Sequence, residues 1–158
     1  MPGTSVLGFA VTNLNLAPPE QPFFIDRYEA TNKEYKRFVD SGGYQKKDYW
    51  KYPFRKGAQT LSWEEAMKQF IDSTGRPGPA TWEAGTYPPG QDDFPVRGVS
   101  WYEASAFAEF AGKNLPTLSH WCWAADFRVA PYVIPLSNFS GSGPAKVGQY
   151  QEIGRAHV

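Results

Sequence analysis

The chain has 158 residues, enough for one domain with a real hydrophobic core, and its 16 basic and 16 acidic residues cancel to a net charge of zero. With a pI near 6.7, that balance removes the electrostatic case for binding nucleic acid or an anionic membrane surface. No apolar run approaches a bilayer span, and the first twenty residues lack the basic start of a secretory signal, which points to a cytoplasmic protein without a membrane segment.

Aromatic residues make up 16% of the chain, with six Trp, nine Tyr and eleven Phe, so the core is expected to consist of large planar side chains. Fifteen Gly and fourteen Pro are dispersed among them, which predicts many turns and short elements. Residues 1–20 are weakly patterned and end in Pro18-Pro19-Glu20, an extended lead-in. Pro22 to Tyr28 (PFFIDRY) reads as a strand. Thr31 to Val39 reads as a helix, with Thr31 as N-cap and Glu34 closing a capping box. Tyr35, Phe38 and Val39 share one face, and Gly42-Gly43 ends the helix.

Tyr44 to Gly57 (YQKKDYWKYPFRKG) has the composition of a stacking surface for bases or sugars, but the neutral chain favours rings packed on the core. Ser62 opens a second helix with Glu65 as box partner and Ala66, Phe70 and Ile71 as its buried stripe. Residues 74–93 are a long Pro- and Gly-rich loop that Trp82 and Tyr87 are expected to anchor. Pro95 to Val99 reads as a short strand. Ser100 then caps a third helix with Glu103 as partner, Ala104, Phe107, Ala108 and Ala111 as the apolar face, and Gly112 as the stop. Thr117 caps a fourth helix with His120 in the partner position, and Trp121, Ala124 and Ala125 are expected to face inward. Val133 to Leu136 is a last strand candidate.

Few residues offer chemistry. Cys122 is the one cysteine, so an internal disulfide is excluded, which fits a reducing compartment and a truncated chain equally well. His120 and Cys122 stand two apart on a helix and project to different faces, which argues against a nucleophile couple and for capping and packing roles. Asp92-Asp93 reads as a solvated pair rather than an acid–base or cation site. Residues 153–158 (IGRAHV) resemble the translation of a sequencing-adapter oligonucleotide, so Arg155 and His157 are set aside as a foreign tail and residues 1–152 are taken as one domain.

Two stretches carry a family resemblance. FFIDRYEATNKEYKRFVDSGGY and DFPVRGVSWYEASAFAEFAGKNLPT resemble the opening and central motifs of the formylglycine-generating (sulfatase-modifying-factor) family. The resemblance runs from about Phe24 to Gln149 and implies an α+β, C-type-lectin-like fold of short helices and strands with long loops, here cut short at its C-terminal side. Its founding members oxidise a sulfatase cysteine to formylglycine, using dioxygen and copper held by two Cys thiolates. The copper cysteines and a Gly-Asn-Val-Trp-Glu-Trp motif lie in the family's C-terminal part, and neither occurs in this chain. Cys122 matches neither metal cysteine, so no catalytic residue is assigned. The resemblance places a calcium ligand at Asn138 with the carbonyl of Phe139 beside it, but the acidic ligand expected further on is missing. LPTLSHW is similar to a bacterial subgroup joined to Ser/Thr kinases or other signalling domains. The expected partners are therefore a protein or peptide substrate of a complete copper oxidase, or a fused kinase for which the domain serves as a recognition module. A lectin-like carbohydrate binder is a third reading, on fold analogy alone.

Overall fold

The computed structural model describes residues 21–125, 138, 141 and 143–150. The chain divides into two compact units, one formed by Tyr28–Leu115 with Ser142–Gln149, the other by Met1–Arg27, Pro116–Gly141 and Tyr150–Val158.

In the first unit each helix starts where a local hydroxyl–carboxylate pair tells it to. Helix α1 (Asn32–Asp40) begins at Thr31, whose Oγ1 accepts from the Glu34 N–H while Glu34 Oε2 accepts from the Thr31 N–H. Helices α2 (Trp63–Met67) and α3 (Trp101–Phe110) repeat the device with Ser62–Glu65 and Ser100–Glu103. Between α1 and α2 lie a single 3-10 turn (Lys47–Tyr49) and a hairpin of β1 (Arg55–Lys56) and β2 (Gln59–Thr60), in antiparallel register with Arg55 opposite Thr60. Gly57 turns that hairpin at φ +60°, a conformation L-residues resist. The hairpin was not anticipated, because its four strand residues are exposed and leave no alternating pattern.

The core is a stack of rings gathered from every part of this unit. Tyr35 and Phe38 come from α1, Tyr44, Trp50 and Phe54 from the irregular stretch, Trp82 from the long loop, and Ala66 and Ala106 from α2 and α3. Tyr35 meets Trp82 edge-on at 6.1 Å, and Trp50 stacks on Phe70 at 5.3 Å. Each fully buried ring of this kind contributes about 1.5–3 kcal/mol by burial. Within the stretch 44–57, Tyr44, Tyr49, Trp50 and Phe54 pack on the core as expected while Tyr52 is 50% exposed, and Trp82, only 1% exposed, anchors its loop with Tyr87 at 5.3 Å.

Several expectations are corrected. Pro22 to Tyr28 and Pro95 to Val99 are not strands; Pro95 makes a lone antiparallel bridge with Thr31. The ladder cannot extend, because the chain turns into α1 at Asn32 and Pro95 has no N–H to donate. Helix α2 is five residues long, so Phe70 packs from beyond its end and Ile71 is 37% exposed. On α3 the buried positions are Glu103, Ala106 and Ala108, with Phe107 and Phe110 half-buried, while Ala111 is exposed. Ala108 and Phe107 thus face the core as expected, while the covered stripe leaves out Ala111 and includes Ala106 and the capping carboxylate.

In the second unit, helix α4 (Leu118–Ala125) is the described element. Trp121 is 52% exposed, against the inward placement expected for it, and Cys122 is half-buried rather than buried. The Phe23 ring lies 4.6 Å from the His120 ring, so the covered side of α4 is the His120 side, away from Trp121. Val133 to Leu136 lies outside the described residues.

Gly43 marks the tightest approach in the core. Its N–H donates to the Phe38 carbonyl at 2.9 Å, and a Cβ placed on it would overlap the ring of Phe38, which is fully buried. Gly43→Ala is expected to destabilise the fold by about 1–3 kcal/mol, the range for overpacking, as read from the denaturation midpoint.

Candidate functional site

The sequence-derived candidates do not converge. Asn138 Oδ1 accepts from the Tyr150 hydroxyl at 3.0 Å, and Phe139 lies outside the described residues. Asp92 and Asp93 are exposed; Asp92 Oδ1 accepts from the Tyr87 hydroxyl, and the Asp93 carbonyl accepts from the Val147 N–H. His120 caps α4 as its position suggested. Its Nδ1 lies 3.3 Å from the Thr117 N–H donor and 3.0 Å from Thr117 Oγ1, which in turn accepts from the His120 N–H. Among the described residues no three His, Cys, Asp or Glu side chains gather to hold a metal ion. With one cysteine, this chain does not furnish the two thiolates that copper would need.

The most unusual chemistry lies in the core, at residues whose sequence context speaks only of helix capping or packing. Glu103 is buried, and both its oxygens are engaged: Oε1 accepts from the Tyr44 hydroxyl at 2.6 Å and Oε2 from the Ser100 N–H at 2.7 Å. The Tyr44 and Tyr35 hydroxyls are 3.2 Å apart. Burial raises the Glu103 carboxyl, and the bonds from Tyr44 and Ser100 offset part of that rise. Burial, reinforced by charge–charge repulsion from Glu103, pushes both phenols well above the ordinary tyrosine range. The cluster is a protonated tyrosine pair feeding a carboxylate acceptor, enclosed by rings. Its sequence signal was half present, since Glu103 was visible as a box partner; nothing local showed which way it faces.

The long loop is organised by a second carboxylate, Asp72. Its Oδ1 accepts from the N–H groups of Thr74 and Arg76 and from the Thr74 hydroxyl, and its Oδ2 from the Gly85 N–H at 2.6 Å. Burial alone would raise this carboxyl, but the Arg76, Gly85 and Thr74 bonds overcome it and lower it to about 2. Downstream of that knot the chain forms a cleft of about 100 Å³ lined by Trp82, Tyr87, Gln91, Phe94, Pro95 and Arg97 among others. Its floor is fixed by Trp82 Nε1 donating to Asn32 Oδ1, and Asn32 Nδ2 donating to the Gln91 carbonyl. The cleft is room for a small group, with one guanidinium at its edge.

Comparison with known proteins gives a consistent relationship. The family model described as a sulfatase-modifying factor enzyme 1-like domain matches residues 9–151. A formylglycine-generating enzyme from Thermomonospora curvata is 33% identical over 115 residues, covering 66% of this chain and 37% of that protein. A hercynine oxygenase from Mycobacterium tuberculosis is 33% identical over 107 residues, covering 63% of this chain and 22% of that protein. The serine/threonine-protein kinase pkn1 of Chlamydia pneumoniae is 31% identical over 113 residues, covering 72% of this chain and 16% of that protein. The chain thus spans little more than a third, or less, of these relatives' lengths. No solved structure matches it.

Two outcomes follow from the geometry. Because the Asp72 carboxyl is held near 2 in the fold against 3.8 in the open chain, its stabilisation is complete above about pH 4 and is lost as pH falls toward 2. The linkage amounts to at most about 2 kcal/mol, and Asp72→Asn is expected to flatten this acid limb in a series of melting curves. His120→Glu is expected to strengthen the start of α4 by about 0.5–1 kcal/mol, since a carboxylate accepts from the cap and suits the helix N-terminus. Slower amide exchange at Thr117 checks it.

Proposed function

The chain belongs to the sulfatase-modifying factor enzyme 1-like family, and from that membership we propose that it supplies the N-terminal scaffold of an oxidase acting on a protein cysteine. The observation that carries this reading is the match over residues 9–151 combined with the similarity to a formylglycine-generating enzyme and a hercynine oxygenase. In this reading residues 1–152 form one incomplete domain with a C-type-lectin-like arrangement, residues 153–158 are a foreign tail, and copper is held by cysteines supplied by sequence outside this chain. The role left to the residues present is architectural: the aromatic core and the Asp72 loop fix a rigid platform. Calcium is proposed at Asn138 with the Phe139 carbonyl beside it, a reading that only the family resemblance supports.

A second reading is favoured by the similarity to the kinase pkn1, which covers 72% of this chain. There the domain serves a signalling protein as a recognition module without catalysis.

One experiment separates them. The gene is read beyond Gln151 and the resulting full-length protein is titrated with Cu(I) and, separately, with Ca²⁺. Stoichiometric Cu(I)–thiolate absorption from a newly read cysteine pair is the outcome expected of the oxidase. A gene without such a pair, joined to a kinase, replaces it with the module. A melting temperature that Ca²⁺ raises in the wild type and not in Asn138→Ala is the outcome expected of the calcium site.

A further inference from the structure

The buried Tyr44–Glu103 pair sits at the inner end of a continuous path of oxidisable rings. Trp63 is half-buried, and its ring is 5.9 Å from that of Trp50, which is buried. Trp50 is 5.6 Å from Tyr44, and the Tyr44 hydroxyl donates to Glu103 Oε1 at 2.6 Å. These separations put successive rings in or near van der Waals contact, close enough for an electron to pass between neighbours.

The charges along the path set a direction. Lys47 Nζ lies 5.3 Å from the Trp63 ring centre and 4.0 Å from Glu64 Oε1, so a hole on Trp63 meets a cation–carboxylate pair and gains little from either charge. Glu103 lies at the far end, where its carboxylate favours a hole on Tyr44. Trp50 Nε1 donates to the Gly43 carbonyl at 2.9 Å, an acceptor too weakly basic to take the indole proton, so Trp50 can relay an electron without losing a proton. Tyr44 is different, because its hydroxyl points at a base. Both Glu103 oxygens receive hydrogen bonds, from Tyr44 and from the Ser100 N–H, which is the pattern of an ionised carboxylate with room to accept the proton offered at Oε1. The Tyr35 hydroxyl, 3.2 Å from that of Tyr44, is placed to donate to the phenoxyl oxygen left behind.

We propose that Trp63, Trp50, Tyr44 and Glu103 form an inward redox relay that draws oxidising equivalents from the Trp63 face and holds them as a neutral tyrosyl radical at Tyr44. The external reactant is a strong one-electron oxidant, of the class of a hydroxyl radical or an oxidised metal complex. It removes one electron from Trp63 and is itself reduced by one electron. Trp50 refills Trp63 and Tyr44 refills Trp50. The Tyr44 O–H bond breaks as its electron leaves, and the proton forms an O–H bond on Glu103 Oε1, leaving a phenoxyl radical and a neutral carboxyl group. This chemistry stands independently of the oxidase reading.

The test uses a ruthenium photo-oxidant tethered at Glu64→Cys, beside Trp63, in a Cys122→Ser background. A flash is expected to give a tryptophan radical that decays as a tyrosyl signal rises, by transient absorption and by EPR of frozen samples. Tyr44→Phe is expected to abolish the tyrosyl rise, and Glu103→Gln to slow it, because an amide cannot take the proton. In the Tyr44- and Glu103-intact protein, deuterium oxide is expected to slow the same rise, which keeps the test valid if either variant folds poorly. An undiminished tyrosyl signal in folded Tyr44→Phe overturns the proposal. So does a rise indifferent to deuterium oxide or to Glu103→Gln.

Discussion

The first unit hangs on a carboxylate placed where carboxylates are normally avoided. Glu103 closes the N-terminus of α3 through the Ser100 N–H and, with its other oxygen, satisfies the hydroxyl of Tyr44 in the middle of the ring stack. A capping residue ordinarily faces solvent, as Glu65 does in α2. Turning this one inward ties the direction of α3 to the position of an aromatic residue 59 positions earlier. Removing either partner would strand a buried polar group, a loss of about 1–3 kcal/mol beyond the bond itself. The rest of the core can then be almost wholly aromatic, because its hydroxyls already have acceptors.

Asp72 performs the corresponding task for the chain that has no regular structure. Four donors converge on its two oxygens, and Ser73 ties back to the Trp82 carbonyl through both its N–H and its hydroxyl. Trp82 is thereby delivered to the core from a loop rather than from a helix or strand. The loop also holds Ala84 at φ +53°, and the Arg76 guanidinium donates to the Ala84 carbonyl at 3.0 Å.

What the sequence disclosed was the part encoded within four residues. The pairs Thr31–Glu34, Ser62–Glu65, Ser100–Glu103 and Thr117–His120 each gave a helix start, and all four helices are there. Strands were misread because a run such as PFFIDRY states a preference but not a partner, and no ladder forms along it. Ile71 and Trp121 were placed inward by periodicity, yet α2 stops before Ile71 and the covered side of α4 lies toward Phe23. The tyrosine–carboxylate cluster was invisible for a related reason: its members are residues 35, 44 and 103, joined only in three dimensions. Family membership, by contrast, was legible, because the DFPVRGVSWYEA and GKNLPT segments record many constraints at once.

The spacing between Tyr44 and Glu103 also governs timing during synthesis. The capping box of α1 is complete in sequence by Glu34, but the helix has only nine residues and its Asn32 and Lys33 N–H groups bond to the carbonyls of Phe94 and Asp92, so it is marginal until that later segment arrives. The Tyr44 hydroxyl has no carboxylate until 59 more residues have been added, several seconds at ordinary elongation rates of about 5–20 residues per second. Throughout that interval the rings of Tyr35 and Phe38 lack Phe107 and Phe110 of α3, which pack against them at 5.1–6.1 Å, so this unit closes late and as a whole rather than helix by helix.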